Sequence, residues 1–262
     1  MLTLNNISAG YGGVDVIQNI SIEVKSSLSI IGPNGCGKTT LLKAIAGLLP
    51  YKGDVEIDGR SAQKMGRKEI ALKIAILSQT SGIYFSYSVF DTVMMGRYPH
   101  IKGRILGLPS EEDKRYVMRC LEAVDLSGEK DREITQLSGG QLQRVFLART
   151  LAQQPEIILL DEPTNHLDLK YQIELIEYLK RWVMENEENQ GGGNKRAVIG
   201  VLHDLNLAMQ LSENIMVMKN GEIKVCGKTH EVITDSLLEE VYEIDVAHYM
   251  RESLKKWEHI AK

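Results

Sequence analysis

Short apolar runs alternate with helical patterns along most of the chain. Period-two patterns in LTLNNISAGY and VIQNISIEV predict two strands joined by a turn at Gly12 and Gly13, and LSIIG predicts a buried strand. A glycine-rich loop then leads into TTLLKAIAGLL, whose apolar spacing predicts a buried helix. EIILLDEP and RAVIGVLHD predict two more buried strands, each followed by a helical pattern. The order predicts an α/β fold: an amino-terminal antiparallel β layer beside a parallel sheet that helices cover on both faces.

The middle of the chain has a helical pattern. SEEDKRYVMRCLEAVDL opens with acidic residues and repeats its apolar positions every three or four residues, which predicts an amphipathic helix. We expect one domain, with a nucleotide-binding core at 1–85 and 155–225, an inserted helical subdomain at 86–154 and a tail at 226–262. The polar, glycine-rich segment ENEENQGGGNKR predicts a solvated loop or a mobile insertion.

Composition excludes several classes of protein. The formal net charge of −4 is too mildly acidic for a dedicated nucleic-acid binder, so we expect no nucleic-acid partner. Cys36, Cys120 and Cys226 are far apart and form no metal-binding or disulfide pattern, which favours a reducing cytoplasm. Because no uncharged apolar run approaches the roughly 18 residues that span a bilayer, membrane association would need a partner.

The first chemical signal is GPNGCGKT at residues 32–39, which matches the phosphate-loop pattern G-x-x-x-x-G-K-[ST] between a strand and a helix. In such a loop, backbone N–H groups surround phosphate oxygens, Lys38 reaches the terminal phosphates and the Thr39 hydroxyl binds Mg²⁺. The flanking strand and helix argue against a chance glycine turn, and Cys36 is interpreted as a small filler rather than a reactive thiol. The predicted nucleotide-binding residues here are Gly32, Asn34, Gly35, Cys36, Gly37, Lys38, Thr39 and Thr40.

The second signal is a pair of carboxylates, Asp161 and Glu162, after the apolar run IILL. Phosphates bind at the carboxyl edge of parallel sheets, so this position suits catalysis. Asp161 is the candidate ligand of Mg²⁺, and Glu162 the candidate base that accepts a proton from the attacking water. Alone, the pattern is also that of a strand entering a turn; the phosphate loop favours the catalytic interpretation.

The third signal is LSGGQ at residues 137–141, directly before the apolar helix VFLARTLAQ. Serine is a good N-cap, and glycines at a helix start expose N–H donors to an anion. The pentapeptide also resembles the signature of ATP-binding cassette ATPases, phosphate-loop NTPases with ATP hydrolysis as their activity. The signature residues carried over are Ser138, Gly139, Gly140 and Gln141.

The resemblance covers nearly the whole chain and implies roles that spacing alone does not supply. Tyr11 matches the aromatic residue that stacks on adenine, although it also suits packing in the β layer. Gln79 matches the glutamine that senses Mg²⁺ and the attacking water, or is a solvated strand end. Asp168, in NHLD, matches the loop that couples two nucleotide sites, and His203 matches the histidine that contacts the γ-phosphate. The Mg²⁺ set is then Thr39, Gln79 and Asp161.

In this family the signature of one subunit completes the phosphate site of another. One complete set of motifs per chain therefore implies a head-to-tail homodimer that encloses two ATP molecules. ATP would stabilise closure and hydrolysis would release it.

Four further stretches resemble the ATPases of importers for iron–siderophore complexes, haem and cobalamin: FSYSVFDTVMMGRYPHI, TNHLDLKYQIELIEYL, HDLNLAMQ and EVITDSLLEEVYEIDV. The resemblance implies a membrane permease as partner, a separate cargo-binding protein, and a location on the cytoplasmic face of the membrane. Arg97, in the GR-x-PH run, is either a solvated cation or a mark of this importer class. The aromatic residues of the first stretch either line a groove for the permease or belong to the core; they are Tyr84, Phe85, Tyr87 and Phe90.

A second hypothesis is a cassette ATPase that acts on ribosomes or DNA, since TNHLD also occurs in the translation-factor branch. Such proteins carry two cassettes or long heptad coils, and this chain has one compact set of motifs. A regulatory module without catalysis is disfavoured because Lys38, Asp161, Glu162 and His203 are all present. The cargo and the role of the tail stay open.

Overall fold

The computed structural model describes residues 1–78, 86–101, 107–164, 168–189 and 196–260. The strands are β1 (Leu2–Tyr11), β2 (Val14–Val24), β3 (Leu28–Ile31), β4 (Tyr51–Ile57), β5 (Arg60–Ser61), β6 (Ile74–Ser78), β7 (Ile157–Asp161), β8 (Ala197–Val201), β9 (Asn214–Lys219) and β10 (Glu222–Lys228). The helices are α1 (Lys38–Ile45), α2 (Arg67–Lys73), α3 (Val89–Met94), α4 (Glu111–Ala123), α5 (Gly139–Ala152), α6 (Leu169–Asn189), α7 (Leu205–Leu211), α8 (Thr229–Val232), α9 (Asp235–Tyr242) and α10 (Val246–Ile260). Short 3₁₀ turns lie at 62–64, 95–97, 127–129 and 134–136.

The amino-terminal strands form an antiparallel sheet in the order β2-β1-β4-β5. The β1–β2 hairpin turns at Gly12 and Gly13, whose φ angles of 60° and 84° are both left-handed. Two-residue hairpin turns with two positive φ angles match the twist of the strands they join, which explains the glycine pair. The predicted β layer and its turn are confirmed.

The second sheet has the order β10-β9-β3-β8-β7-β6. Strands β9, β3, β8, β7 and β6 run parallel, and only β10, a hairpin partner of β9, is antiparallel within the described sheet. Parallel neighbours need crossover connections, which helices of the described chain supply. The α/β architecture expected from the alternating pattern is therefore confirmed.

Strand β7 shows how the apolar runs divide between two cores. Ile157 and Leu159 face a core shared with the β layer and α1, whereas Ile158 and Leu160 face a second core shared with α3 to α7. Successive side chains of a strand point to opposite faces, so a strand buried on both faces reads as an uninterrupted apolar run.

The predicted amphipathic helix is α4. The Ser110 hydroxyl accepts a hydrogen bond from the Asp113 N–H (3.1 Å), and the Asp113 carboxylate accepts one from the Ser110 N–H (3.0 Å). This capping box fixes where the helix begins. Its buried residues Val117 and Leu121 join the core that α5 and β7 also share. The subdomain boundaries proposed from the sequence stay predictions.

One expectation about a loop was wrong. The segment ENEENQGGGNKR was expected to be a loop throughout, but α6 continues through Asn189 and includes its first five residues. Glutamate and asparagine are tolerated in a helix that is already extended, because propagation adds one hydrogen bond for each residue ordered. Within the described ranges, no helix has both the length and the apolar character needed to cross a bilayer.

Leu121→Ala tests the core that joins α4 to the sheet. Leu121 is fully buried, so the truncation leaves a cavity, and we expect a loss of about 2–5 kcal/mol in the free energy of unfolding. Urea denaturation followed by circular dichroism measures it. Leu254→Ala on α10, where the side chain is 62% exposed, is the control and should change stability little. Equal losses in the two variants would contradict this assignment of the core.

Candidate functional site

The phosphate loop connects β3 to the first residue of α1, Lys38. Gly35 and Gly37 have φ angles of 78° and 101°, a conformation that side chains rarely adopt. A Cβ atom on Gly32 would lie 2.1 Å from the Met218 carbonyl oxygen, and one on Gly37 would lie 2.5 Å from Ile17. The glycines at 32 and 37 are therefore required by the close approach of neighbouring strands, and the backbone conformation also favours glycine at 37.

The side chain of Lys38 is buried and lies across its own loop. Its Nζ donates hydrogen bonds to the carbonyl oxygens of Gly32 and Pro33, both at 2.8 Å. A buried ammonium needs such partners, because an unpaired buried charge is costly. The two carbonyls hold the cation beside the phosphate loop.

Thr39 connects the loop to the strand that ends in Asp161. The Thr39 hydroxyl donates a hydrogen bond to Asp161 Oδ1 at 2.6 Å. Within the described chain, no group of three or more histidine, cysteine or carboxylate side chains is placed to hold a metal. A hydroxyl and a carboxylate nevertheless fit Mg²⁺, which prefers oxygen ligands, binds through one or two carboxylates and takes other ligands from phosphates and water.

Cys36 lies inside the loop with 5% of its surface exposed. Burial raises the pKa of its thiol and outweighs the opposing effect of the nearby Lys38 ammonium. A raised pKa leaves less thiolate at neutral pH, and thiolate is the reactive form. These properties support the interpretation of Cys36 as a small filler.

Glu162 directly follows β7 and has an unusual backbone conformation. Its φ angle of 53° is left-handed, which is uncommon for a residue other than glycine and is found at active sites. Its N–H donates to the Val201 carbonyl at 3.2 Å, which fastens the turn to the neighbouring strand β8. The Glu162 Oε1 and His203 Nε2 atoms are 2.6 Å apart. The carboxylate and the imidazole expected at this sheet edge are thus in contact.

These side chains border one cavity of about 540 Å³. Its lining combines the phosphate loop and the start of α1 with the contacting side chains of Glu162 and His203; the residues are Val16, Asn34, Gly35, Gly37, Lys38, Thr39, Thr40, Glu162 and His203. The volume suits a small polar ligand, and the walls present a cation, N–H donors and a carboxylate. Val16 was not expected from the sequence; only its pairing within the β layer brings it to the loop, and no motif marks it.

The signature residues lie elsewhere. Ser138 caps α5: its hydroxyl accepts from the Gln141 N–H (3.3 Å), and Gln141 Oε1 accepts from the Ser138 N–H (3.0 Å). Ser138 and Gly139 are exposed, and none of residues 138–141 lines the cavity of their own chain. A Cβ atom on Gly140 would lie 2.7 Å from the Tyr171 ring, so the helix start needs glycine there.

The remaining candidates do not line the cavity or lie outside the described residues. Tyr11, at the end of β1, is 50% exposed. Asp168 is exposed and caps α6, where its carboxylate accepts a hydrogen bond from the Tyr171 N–H at 3.1 Å. Gln79 lies outside the described residues, as do Tyr84, Phe85 and His166.

Sequence comparison gives one family. The ABC transporter family profile matches residues 17–165. The chain is 37% identical to the petrobactin import ATP-binding protein YclP of Bacillus subtilis (strain 168), over 94% of both chains. It is 38% identical to the iron(3+)-hydroxamate import ATP-binding protein FhuC of the same species, over 93% of this chain and 88% of the relative. It is 36% identical to the ferric enterobactin transport ATP-binding protein FepC of Escherichia coli (strain K12), over 90% of this chain and 84% of the relative.

Comparison with solved structures gives the same family. An ABC transporter of the metal-chelate type in an inward-facing conformation superposes with a TM-score of 0.75 at 27% identity, over 93% of this chain and 89% of the other. A dimeric bacterial ABC transporter cassette superposes with a TM-score of 0.73 at 30% identity, over 87% of this chain and 98% of the other.

Thiol labelling tests the environment of Cys36. We expect iodoacetamide to modify the exposed Cys226 first near neutral pH, because Cys36 and Cys120 are buried. Burial also raises the pKa of Cys120 to about 12. Peptide mass spectrometry over time measures the order. Urea-denatured protein, in which all three thiols are accessible, is the control. Labelling of native Cys36 as fast as Cys226 would refute the filler interpretation.

Proposed function

Because this chain belongs to the ABC transporter family, we propose that it is the ATP-hydrolysing subunit of an importer for an iron–siderophore or related metal-chelate cargo. The observation that carries the proposal is the cavity that joins the phosphate loop, Glu162 and His203, with the signature exposed outside it. Such an arrangement binds a triphosphate within one chain and leaves part of the catalytic set for another chain to use.

Binding starts from the loop. The triphosphate replaces the carbonyls of Gly32 and Pro33 as partner of the Lys38 ammonium, while the N–H groups at the start of α1 point toward the phosphates. Tyr11, a half-exposed residue at the end of β1, would offer its ring to the adenine. Thr39 and Asp161, together with Gln79, would hold Mg²⁺, which neutralises phosphate charge in such enzymes.

Hydrolysis uses the carboxyl edge of the parallel sheet. Glu162 accepts a proton from a water molecule as the water oxygen bonds to the γ-phosphorus, and the bond from that phosphorus to the β–γ bridging oxygen breaks to leave ADP and phosphate. His203, within hydrogen-bond distance of Glu162, contacts the γ-phosphate. The left-handed turn at Glu162 directs the carboxylate into the cavity.

A second copy of the chain completes each site. In a head-to-tail dimer, Ser138, Gly139, Gly140 and Gln141 of one copy would donate to the γ-phosphate held by the other, and the loop at Asp168 would connect the two sites. The exposed start of α5 supports this, because Ser138 and Gly139 face solvent and residues 138–141 do not line the cavity of their own chain.

The transport role follows the relatives. YclP, FhuC and FepC are import or transport ATP-binding proteins for petrobactin, iron(3+)-hydroxamate and ferric enterobactin. We infer that this chain docks beneath membrane permease subunits at the cytoplasmic face, and that a separate binding protein captures the cargo. Haem and cobalamin belong to the same group of candidate cargoes.

Glu162→Gln tests the base. The amide keeps the size of the side chain but does not accept the proton, so we expect ATP turnover to fall about 10²- to 10⁴-fold. Nucleotide binding should persist and a dimer should accumulate with ATP. A phosphate-release assay and size-exclusion chromatography with light scattering measure the two effects.

Ser138→Arg in the Glu162→Gln background is the control. The bulky cation at the cap should keep the protein monomeric with ATP, while binding of a fluorescent ATP analogue is largely kept. Ordinary turnover in Glu162→Gln would refute the base assignment. Failure of Glu162→Gln to dimerise at saturating ATP would refute the shared site.

Uptake assays test the transport role. Disruption of the gene should abolish cellular uptake of radioactive iron supplied as ferric siderophores, because permease movement would lose its source of energy. The unaltered gene should restore uptake, and the Glu162→Gln version should not. Normal uptake of siderophore, haem and cobalamin in the disrupted strain would refute the proposal.

A further inference from the structure

Arg97 is a buried cation outside the ATP site. Only 6% of its surface is exposed, and its Nε donates to Asp113 Oδ1 at 2.9 Å. Its Nη1 donates to the Ala152 carbonyl at 2.8 Å and to Gln154 Oε1 at 2.7 Å. The guanidinium also lies 4.8 Å from the centre of the Tyr116 ring. The interpretation of Arg97 as a solvated cation was therefore wrong.

The partners of Arg97 belong to separate elements. Asp113 is at the start of α4, Ala152 is the last residue of α5, and Gln154 lies in the connection from α5 to β7. Burial would raise the pKa of Asp113, but hydrogen bonds from Ser110 and Arg97, with the guanidinium charge, lower it to about 2. The pair thus stays ionised, and Arg97 connects three elements through one rigid group.

Further contacts fasten the same end of α5 to the nucleotide-binding core. His100 Nε2 lies 2.9 Å from the Gln153 carbonyl oxygen. Gln153 Nε2 donates to the carbonyls of Ala71 and Ile74, at 2.5 and 2.7 Å, where α2 meets β6. Gln154 has a left-handed φ of 52°, held in part by its bond to Arg97.

The packing around Arg97 is close. A Cβ atom on Gly96 would lie 2.2 Å from the Arg149 carbonyl oxygen of α5. The turn that carries Arg97 therefore lies directly against the α5 backbone. This places the guanidinium within hydrogen-bond distance of the last residue of α5.

The two ends of α5 have different surroundings. The helix begins beside Ser138, at the signature, and ends at the Arg97 contacts. Its 14 residues span about 21 Å, so a tilt of about 5° at the Arg97 end displaces the signature by about 2 Å. Misplacement by about 1 Å costs as much as about 100-fold in rate when a group must meet a reacting atom.

We propose that Arg97 is a positioning residue for ATP hydrolysis, which sets the direction of α5 so that the signature meets the γ-phosphate held by the second copy. The proposal rests on the shared site described above. None of Arg97, Asp113 or Gln154 lines the ATP cavity, so Arg97 acts on the step that needs two chains and not on the binding of nucleotide within one chain.

Arg97→Lys is the first test. Lysine keeps a positive charge near Asp113 but has one nitrogen, which does not reach Asp113, Ala152 and Gln154 in the same planar arrangement. We expect kcat to fall about tenfold or more, while the affinity of the monomer for a fluorescent ATP analogue changes by less than about twofold. A weakened nucleotide affinity with unchanged kcat would overturn the proposal.

The double variant Arg97→Gln with Asp113→Asn separates positioning from stability. Arg97→Gln alone leaves a buried carboxylate without its cation, and adding Asp113→Asn removes that charge. We expect the melting temperature to recover in the double variant and kcat to stay low. Recovery of kcat together with the melting temperature would show a merely structural role and overturn the proposal.

Val117→Ala is the matched control. Val117 is fully buried on α4, and its truncation destabilises the same packing without touching the Arg97 contacts. We expect near-normal kcat at temperatures where the variant is folded; a loss equal to that of Arg97→Lys would overturn the proposal.

Two outcomes in the Glu162→Gln background separate this proposal from the shared site. Failure of the dimer with Arg97 intact refutes the shared site itself. If adding Arg97→Lys to Glu162→Gln leaves both dimerisation and residual turnover as they are in Glu162→Gln alone, only the positioning role is refuted.

Discussion

The site depends on three parallel strands that end at the same level. Ile30 of β3 lies opposite Val201 of β8, and Val201 lies opposite Asp161 of β7. In a parallel ladder, residues that follow paired positions emerge at one edge. The phosphate loop, Glu162 and His203 therefore meet there although they are far apart in the chain. A shift of one residue in either pairing would turn the alternating side chains to opposite faces.

Much of this could be predicted from the sequence because the signals are local. The glycines and lysine of the loop are neighbours along the chain, and so are the two carboxylates at the end of β7. The alternation of apolar runs determined the order of strands and helices. Contacts between distant segments carried no such signal: the bond from Thr39 to Asp161, the contact of Val16 with the loop, and the burial of Arg97 all depend on tertiary packing. The end of α6 was misplaced because polar composition indicates solvent exposure without distinguishing a loop from a helix. An exposed stretch of helix is polar as well.

The charges at the cavity bear on the proposed shared site. Lys38 is the only lysine or arginine among the described residues that line it. A triphosphate carries several negative charges, and charge is spread over the transferred phosphoryl group in the transition state. Loop amides, the start of α1 and a divalent cation oppose part of that charge. In the proposed dimer, the exposed start of α5 of the second copy is a further source of positive potential.

The burial of Arg97 needs a reason other than stability. Taking a guanidinium and a carboxylate out of water costs free energy, and a buried ion pair is often no more stabilising than apolar residues of similar size. In the proposed role the pair supplies direction, since a planar cation with several fixed donors accepts only a narrow range of partner positions. Here those partners are the start of one helix, the end of another and the connection into β7. Apolar residues would fill the same volume while allowing α5 to tilt, and in the proposed dimer the far end of α5 meets a phosphate held by the other copy.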